Sequence, residues 1–174
     1  VLLVLVCGTL AKASIGGKQA PDGSEINIDL PGELHLKNVG GSDGAGLCVF
    51  TSIAHSARWQ GVDVLADFRD WMRRHPGGGY PQKVDKMIAQ VCKERGLPKP
   101  DYIQIEGADL AILRAACKSW RMPAVTYSRS PTGRYGGRPI AHMVSLVHAD
   151  DKGNFAVLDN NYPGVDKYEW MDEA

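Results

Sequence analysis

An α+β fold is predicted by three observations. Apolar residues in the first half recur at helical spacing. The second half carries short β-rich runs separated by turn signals. The two kinds of segment do not alternate, as they would around a parallel sheet. At 174 residues and 44% hydrophobic, the chain has material for one globular core. Twenty basic against twenty acidic residues leave no net charge, which argues against nucleic acid and against a polybasic membrane patch.

The elements follow in order. Val1 to Leu10 is an apolar run too short for a spanning helix, which needs about 20 residues. It has the length of a signal-peptide core, and Ala11-Lys12-Ala13 follows as an A-x-A cleavage site. Residues 1–13 are therefore expected to be part of a leader, packing nowhere in a secreted or periplasmic mature protein. A buried N-terminal strand is the alternative. Residues 14–40 read as an N-terminal arm, with one period-two strand at Ile26 to Leu30.

Asn38 to Gly46 is a Gly-rich loop. A helix is expected from about Leu47 to Gln60, with Phe50, Ile53, Ala54 and Ala57 on one face and Gly61 ending it. A second helix starts at Asp63, a suitable N-cap, with Leu65, Phe68 and Met72 as its stripe. Gly77 to Tyr80 belongs to a breaker segment. The third helix carries Val84, Met87, Ile88, Val91 and Cys92, and Gly96 closes it. Tyr102 to Ile105 reads as a strand, and Ala108 to Trp120 as a fourth helix. Strands then follow at Ala124 to Tyr127, Ala141 to His148 and Phe155 to Leu158, with a long loop over 128–139 and a hairpin turn at Asp150 to Gly153. Trp170 to Ala174 looks like the start of an amphipathic element.

No C-x-x-C pair, Walker loop, G-x-S-x-G elbow or EF-hand loop is present, so no metal or cofactor is expected. If Cys7 leaves with a leader and Cys48 is catalytic, Cys92 and Cys117 remain, either paired as a disulfide or separately buried. Arg129, Arg134 and Arg138, interleaved with Tyr127 and Tyr135, read as a solvated loop face or a small anion patch.

Cys48 stands out because it follows a Gly-rich loop at a helix start. The helix dipole there favours a thiolate, and free N–H groups favour an oxyanion. His55 cannot be its partner, being two turns away at ~10 Å. His142 opens a strand, and the hairpin after it returns Asp159, Asn160 and Asn161 to its side. A side chain there can fix the imidazole tautomer. Successive strand residues face opposite ways, and both faces of 155–158 are apolar, so periodicity does not choose between Asp159 and Asn160. Chemistry favours the carboxylate.

From Gly40 to Gly164 the chain resembles the papain-like cysteine peptidases, closest to the bacterial branch of double-glycine leader peptidases. The resemblance rests on Gly46-Leu47-Cys48-Val49-Phe50, Ala141-His142-Met143-Val144 and Leu158-Asp159-Asn160-Asn161-Tyr162. It implies a papain-like domain over 41–174, with a helical half carrying the nucleophile packed on a C-terminal antiparallel sheet. It also implies Cys48 as nucleophile, His142 as base, Asp159 or Asn160 as orienter, and a peptide or protein substrate. The family usually has a Gln about six residues before the Cys as oxyanion donor. This chain has Ser42 there, a weak donor, followed by Asp43, which donates nothing when ionised. Asn38 reaches the site only if the loop is longer than usual. Two other readings use the same residues: a non-peptidase cysteine hydrolase, such as a cell-wall amidase or a transglutaminase-like enzyme, and a catalytically silent binding domain.

Overall fold

The structure, a computed structural model, describes residues 2–5, 10–20, 22–76, 81–107, 109–164 and 168–173. It is α+β. In chain order the elements are β1 (Leu2–Leu5), β2 (Leu10–Gly16), α1 (Cys48–Gln60), α2 (Phe68–Met72), α3 (Val84–Arg95), β3 (Ile103–Glu106), α4 (Leu110–Lys118), β4 (Ala124–Tyr127), β5 (His142–Ala149), β6 (Asn154–Leu158) and β7 (Tyr168–Glu173). The strands form one sheet in the order β2-β7-β6-β5-β4-β1-β3. From β4 through β7 to β2 the pairing is antiparallel, while β1 lies parallel to both β4 and β3.

The centre of the molecule is α1, whose residues from Cys48 to Ala57 are all buried. Its apolar positions join those of α2 and α3 in a cluster that reaches the sheet at Ala124 and Met143, and Phe50 meets Phe68 edge-on at 5.0 Å. The other face of β4 and β5, with Val125, Val144 and Leu146, packs on Leu113 and Cys117 of α4 and on Ile28 and Leu30 of the arm. Because β5 is covered on both sides, all eight of its residues are buried. That cover fixes its register against β4, since a one-residue slip would turn every side chain to the wrong layer.

α1 ends where the sequence places its end, with Gly61 at φ 66, a left-handed turn that glycine adopts without strain. Several elements differ from expectation. In the Ile26 to Leu30 stretch Ile28 and Leu30 are buried, but it is no strand, because its two backbone bonds go to different neighbours, from Ile26 N–H to the Lys18 carbonyl and from Ile28 N–H to the Val147 carbonyl. The second helix is split into a 3-10 turn, Asp63–Leu65, and the short α2, and Asp63 does not cap it. α4 is capped by Asp109 and stops at Lys118, so Trp120 leaves the apolar stripe and is 68% exposed at φ 58. The C-terminal stretch is a sheet strand, β7, between β6 and β2.

Parts of the segment read as a leader are placed in the sheet as β1 and the start of β2. An all-apolar run fits a strand slot as readily as a leader core. Packing and cleavage are separate matters, and cleavage after Ala13 is read by N-terminal sequencing. Cys7 and the Gly77–Tyr80 segment lie outside the described residues. Cys92 and Cys117 are unpaired and buried, one in each apolar cluster, so they behave as small hydrophobes. No helix among the described residues is long and apolar enough to cross a membrane.

Candidate active site

The loop before α1 brings Cys48 into place. Asn38 N–H bonds the Asn160 carbonyl at 2.7 Å, and Leu47 N–H bonds the Val39 carbonyl at 3.0 Å. Between them Gly44, at φ 80, turns the chain back on itself. Cys48 is therefore the first residue of α1, 8% exposed, at the floor of a cleft of about 480 Å³. His142, the first residue of β5, lines the same cleft and is 5% exposed.

The Cys48 thiol and the His142 imidazole are hydrogen-bonded. His142 Nε2 sits 2.7 Å from Asp159 Oδ1, which leaves Nδ1 for the thiol. Burial alone would raise the Cys48 pKa and lower that of His142. Their mutual bond, aided by Asp159 and by backbone N–H groups of Met143 and Val49 at the sulfur, outweighs it. The thiol is held below its ordinary pKa, and His142 is raised to about 9. Burial likewise opposes ionisation of Asp159, but its bonds to His142, Tyr135 and the Asn161 N–H hold the carboxyl below its usual range. The three groups thus favour a thiolate, an imidazolium and a carboxylate in a line.

Asp159 and Asn160 point different ways. Asp159 is fully buried and also accepts from the Tyr135 hydroxyl at 2.6 Å and from Asn161 N–H at 2.8 Å. Asn160 faces the interior instead. Its Nδ2 lies 2.9 Å from Ser52 Oγ, 2.8 Å from the Met143 carbonyl and 3.3 Å from that of Cys48. It ties α1 to β5 and does not meet the imidazole through any of these bonds. Ser42 is a correction. Its hydroxyl donates to the His75 carbonyl at 3.1 Å, it does not line the cleft, and it is in no position to serve an oxyanion. Asn38 lines the cleft, because the turn around Gly44 takes up the extra length of the loop.

Tyr135, which the sequence offered only as part of an arginine-rich loop, and Asn161, which it returned to the side of His142 without a role, both join the site. Tyr135, at φ 64, stands edge-on to His142 with ring centres 5.7 Å apart. Asn161 Nδ2 donates to the Tyr135 oxygen at 2.8 Å, and Asn38 Nδ2 donates to Asn161 Oδ1 at 2.9 Å. Arg134 is no surface cation. Its side chain is 7% exposed, between Asp159 at 3.8 Å and the buried Glu169 at 3.6 Å, and it lies over the Tyr162 ring. Ser130 and Thr132 also donate to Glu169, so the 128–139 loop is pinned to β7. Arg129 and Arg138 are exposed, and no anion patch forms from the three arginines. The Arg-Tyr interleaving was the only signal for this loop, and its meaning depends on a carboxylate 35 residues beyond Arg134.

His55 and His148 are elsewhere. His55 is buried between Leu36 N–H, at 2.7 Å from Nε2, and Ser145 Oγ, at 3.1 Å from Nδ1. His148 Nε2 is 3.3 Å from Asp150. Among the described residues no three His, Cys, Asp or Glu side chains are grouped to hold a metal ion.

Comparison with family models, with curated proteins and with solved structures found no match. The reading of the site therefore rests on its own geometry.

Proposed function

We propose that the chain is a papain-like cysteine hydrolase acting on peptide bonds through Cys48, His142 and Asp159. The observation that carries this reading is the unbroken bond sequence from Cys48 through His142 to Asp159, opening on one cleft. The thiolate attacks the substrate carbonyl carbon and forms a tetrahedral oxyanion. The Cys48 N–H precedes the first intrahelical bond, from Thr51 N–H to the Leu47 carbonyl, and so has no partner within α1 to compete with that oxyanion. His142 gives its proton to the leaving nitrogen as the C–N bond breaks, leaving an acyl thioester. It then takes a proton from water as the hydroxide attacks the thioester, and the carboxylic acid leaves with the thiolate restored. Asp159 holds the ring in one orientation and stabilises its positive charge.

Export is part of the proposal, resting on the apolar start and Ala11-Lys12-Ala13. N-terminal sequencing of secreted material should begin near Ser14, and an intact start would refute it. The catalytic reading is tested by iodoacetamide labelling at pH 6, followed by digestion of a mixed peptide library. Fast labelling lost in Cys48→Ala, together with cleaved peptides, is expected. Labelling without cleavage of any peptide points to a different acyl substrate. Absence of labelling at pH 6 points to a silent domain.

A further inference from the structure

Glu169 has no place in the reaction as written, yet it is fully buried on β7, at a sheet position whose ladder partner is Val157. Three side chains of the 128–139 loop converge on its Oε1. The Ser130 hydroxyl donates at 2.7 Å, the Thr132 hydroxyl donates to the same oxygen, and Arg134 Nε lies 3.6 Å away. The loop is closed at its neck by Ile140 N–H on the Ser128 carbonyl at 2.6 Å. A buried ion pair is often no more stabilising than well-packed apolar residues of the same volume. This one is better explained by what it holds in place.

The residue after Arg134 is Tyr135, at φ 64, in the left-handed region that a non-glycine residue enters at a cost of about 1–3 kcal/mol. Gly133, Gly136 and Gly137 share that region freely, so Tyr135 is the strained member of the turn. Such strain persists only where the surroundings over-determine it. Here the ring is edge-on to His142 and to Tyr162, with centres 5.7 and 5.8 Å away, and Arg134 lies over Tyr162 at 4.6 Å. The hydroxyl meets Asp159 Oδ2 at 2.6 Å, while His142 and the Asn161 N–H meet Oδ1 at 2.7 and 2.8 Å. With both oxygens held, the carboxylate plane cannot turn from the imidazole without breaking the bond to Tyr135. Burial and the Asp159 charge push the Tyr135 hydroxyl well above its ordinary pKa, so it stays the donor.

We propose that Tyr135 is a positioning residue for Asp159, and that the 128–139 loop is a strap whose anchor, Arg134 on Glu169, keeps the Tyr135 hydroxyl on that carboxylate. The inference rests on the hydrolase reading above and adds a control point to it. Reactivity of Cys48 depends on a β7 carboxylate that does not line the cleft. The path runs from Glu169 to Arg134, along the backbone to Tyr135, and on to Asp159, His142 and Cys48. The rival account is that Arg134 serves Asp159 only as a cation 3.8 Å away. The two accounts give opposite signs when Glu169 is removed.

The test is the rate of Cys48 labelling by iodoacetamide from pH 4 to 8, with a urea midpoint for each protein. The groups described against Asp159 are His142 from β5 and Tyr135 and Arg134 from the loop, and Arg134 is the cation against Glu169. In Tyr135→Phe the carboxylate loses a donor and takes a proton more readily. A protonated Asp159 no longer supports the imidazolium, so the thiolate is lost earlier as pH falls. The pH of half-maximal labelling should rise by about one unit, the scale of one hydrogen bond to a charged group, with the rate at pH 7.5 within about three-fold of wild type. In Glu169→Leu, a mere cation at Arg134 would be freed for Asp159, and the acid limb would stay or move down. An anchored strap is instead released, so the limb should move up. The double variant should then match Tyr135→Phe to within about two-fold, because both changes act through one hydroxyl. Glu169→Gln, which keeps an oxygen for the two hydroxyls, carries the same expected sign should Glu169→Leu fail to fold. A Tyr135→Phe profile that overlays wild type, or is lowered equally at every pH, overturns the inference, as does a folded Glu169 variant whose limb does not rise. Those results leave wild-type labelling, and the hydrolase reading, standing. A wild-type Cys48 that does not label at pH 6 overturns both together.

Discussion

Replacing Asp159 should separate ionisation of Cys48 from its accessibility. In the intact site the imidazolium rests on a carboxylate 2.7 Å away that is itself fully buried. A hydrogen bond to a charged group contributes about 1.5–3 kcal/mol, so removing this one lowers the thiolate–imidazolium population by roughly 10- to 100-fold. Asp159→Ala is therefore expected to label with iodoacetamide about 10–100 times more slowly than wild type at pH 6. At pH 9.5, above the value of about 9 to which His142 is raised, the wild type also loses its imidazolium, and the two rates should converge to within a few-fold. A circular-dichroism melt run alongside shows whether the fold persists, since Tyr135 and the Asn161 N–H also lose their acceptor. Wild-type labelling at pH 6 would refute the role of Asp159. A deficit of equal size at both pH values would also refute it, because that signature belongs to a blocked or unfolded thiol.

Three further outcomes are expected. Asn160→Ala removes the amide donor shared by two carbonyls and a hydroxyl, of which the Met143 carbonyl keeps Ser52 Oγ, and should destabilise the protein by about 1–3 kcal/mol in urea, while Cys48 in the folded fraction still labels at pH 6; a neutral melt with labelling abolished would move the orienting role to Asn160. His55, whose pKa burial and neighbouring cations depress to about 3, accepts from Leu36 N–H and so is neutral when folded. The unfolded chain takes the proton first, so stability falls as pH drops from about 6.5 toward 3, by about 2–3 kcal/mol between pH 7 and 4.5. Urea midpoints at the two pH values measure this, and a His55→Gln variant with the same acid loss would contradict it. Burial raises the Cys92 and Cys117 thiols, Cys117 to about 12, so limited iodoacetamide at pH 6 should label Cys48 and neither Cys92 nor Cys117 by peptide mapping.

Much of the helical half was legible because its signals are local. The stripes of α1 and α3 follow from spacing, and Gly61 and Gly96 mark their ends in left-handed turns. Cys48 and His142 were legible for the same reason, each being the first residue of its element. β7 was not. Trp170 to Ala174 reads as an amphipathic start, and nothing in the local sequence marks the preceding Glu169 as a buried residue. It is buried only because Ser130, Thr132 and Arg134 arrive from a loop more than 30 residues earlier. The Ile26 to Leu30 alternation was real as burial and wrong as a strand, since no neighbour supplies a full ladder.

The choice between Asp159 and Asn160 shows why a site can be found in a sequence before it can be assigned. β6 ends at Leu158, and a turn closed by Tyr162 N–H on the Asp159 carbonyl follows, so strand alternation no longer governs these residues. What decides is the number of donors that converge. His142 Nε2, the Tyr135 hydroxyl and the Asn161 N–H all meet the side chain at 159, with Arg134 alongside. A carboxylate offers two oxygens and about four acceptor sites, whereas an amide offers one oxygen and sets its own N–H₂ against a donor. The position therefore demands Asp, while the neighbouring position, ringed by two carbonyls and a hydroxyl, demands the donors of Asn. Each residue is dictated by partners from two other segments of the chain, β5 and the 128–139 loop for Asp159, α1 and β5 for Asn160. That is information the order of residues 158–162 does not contain.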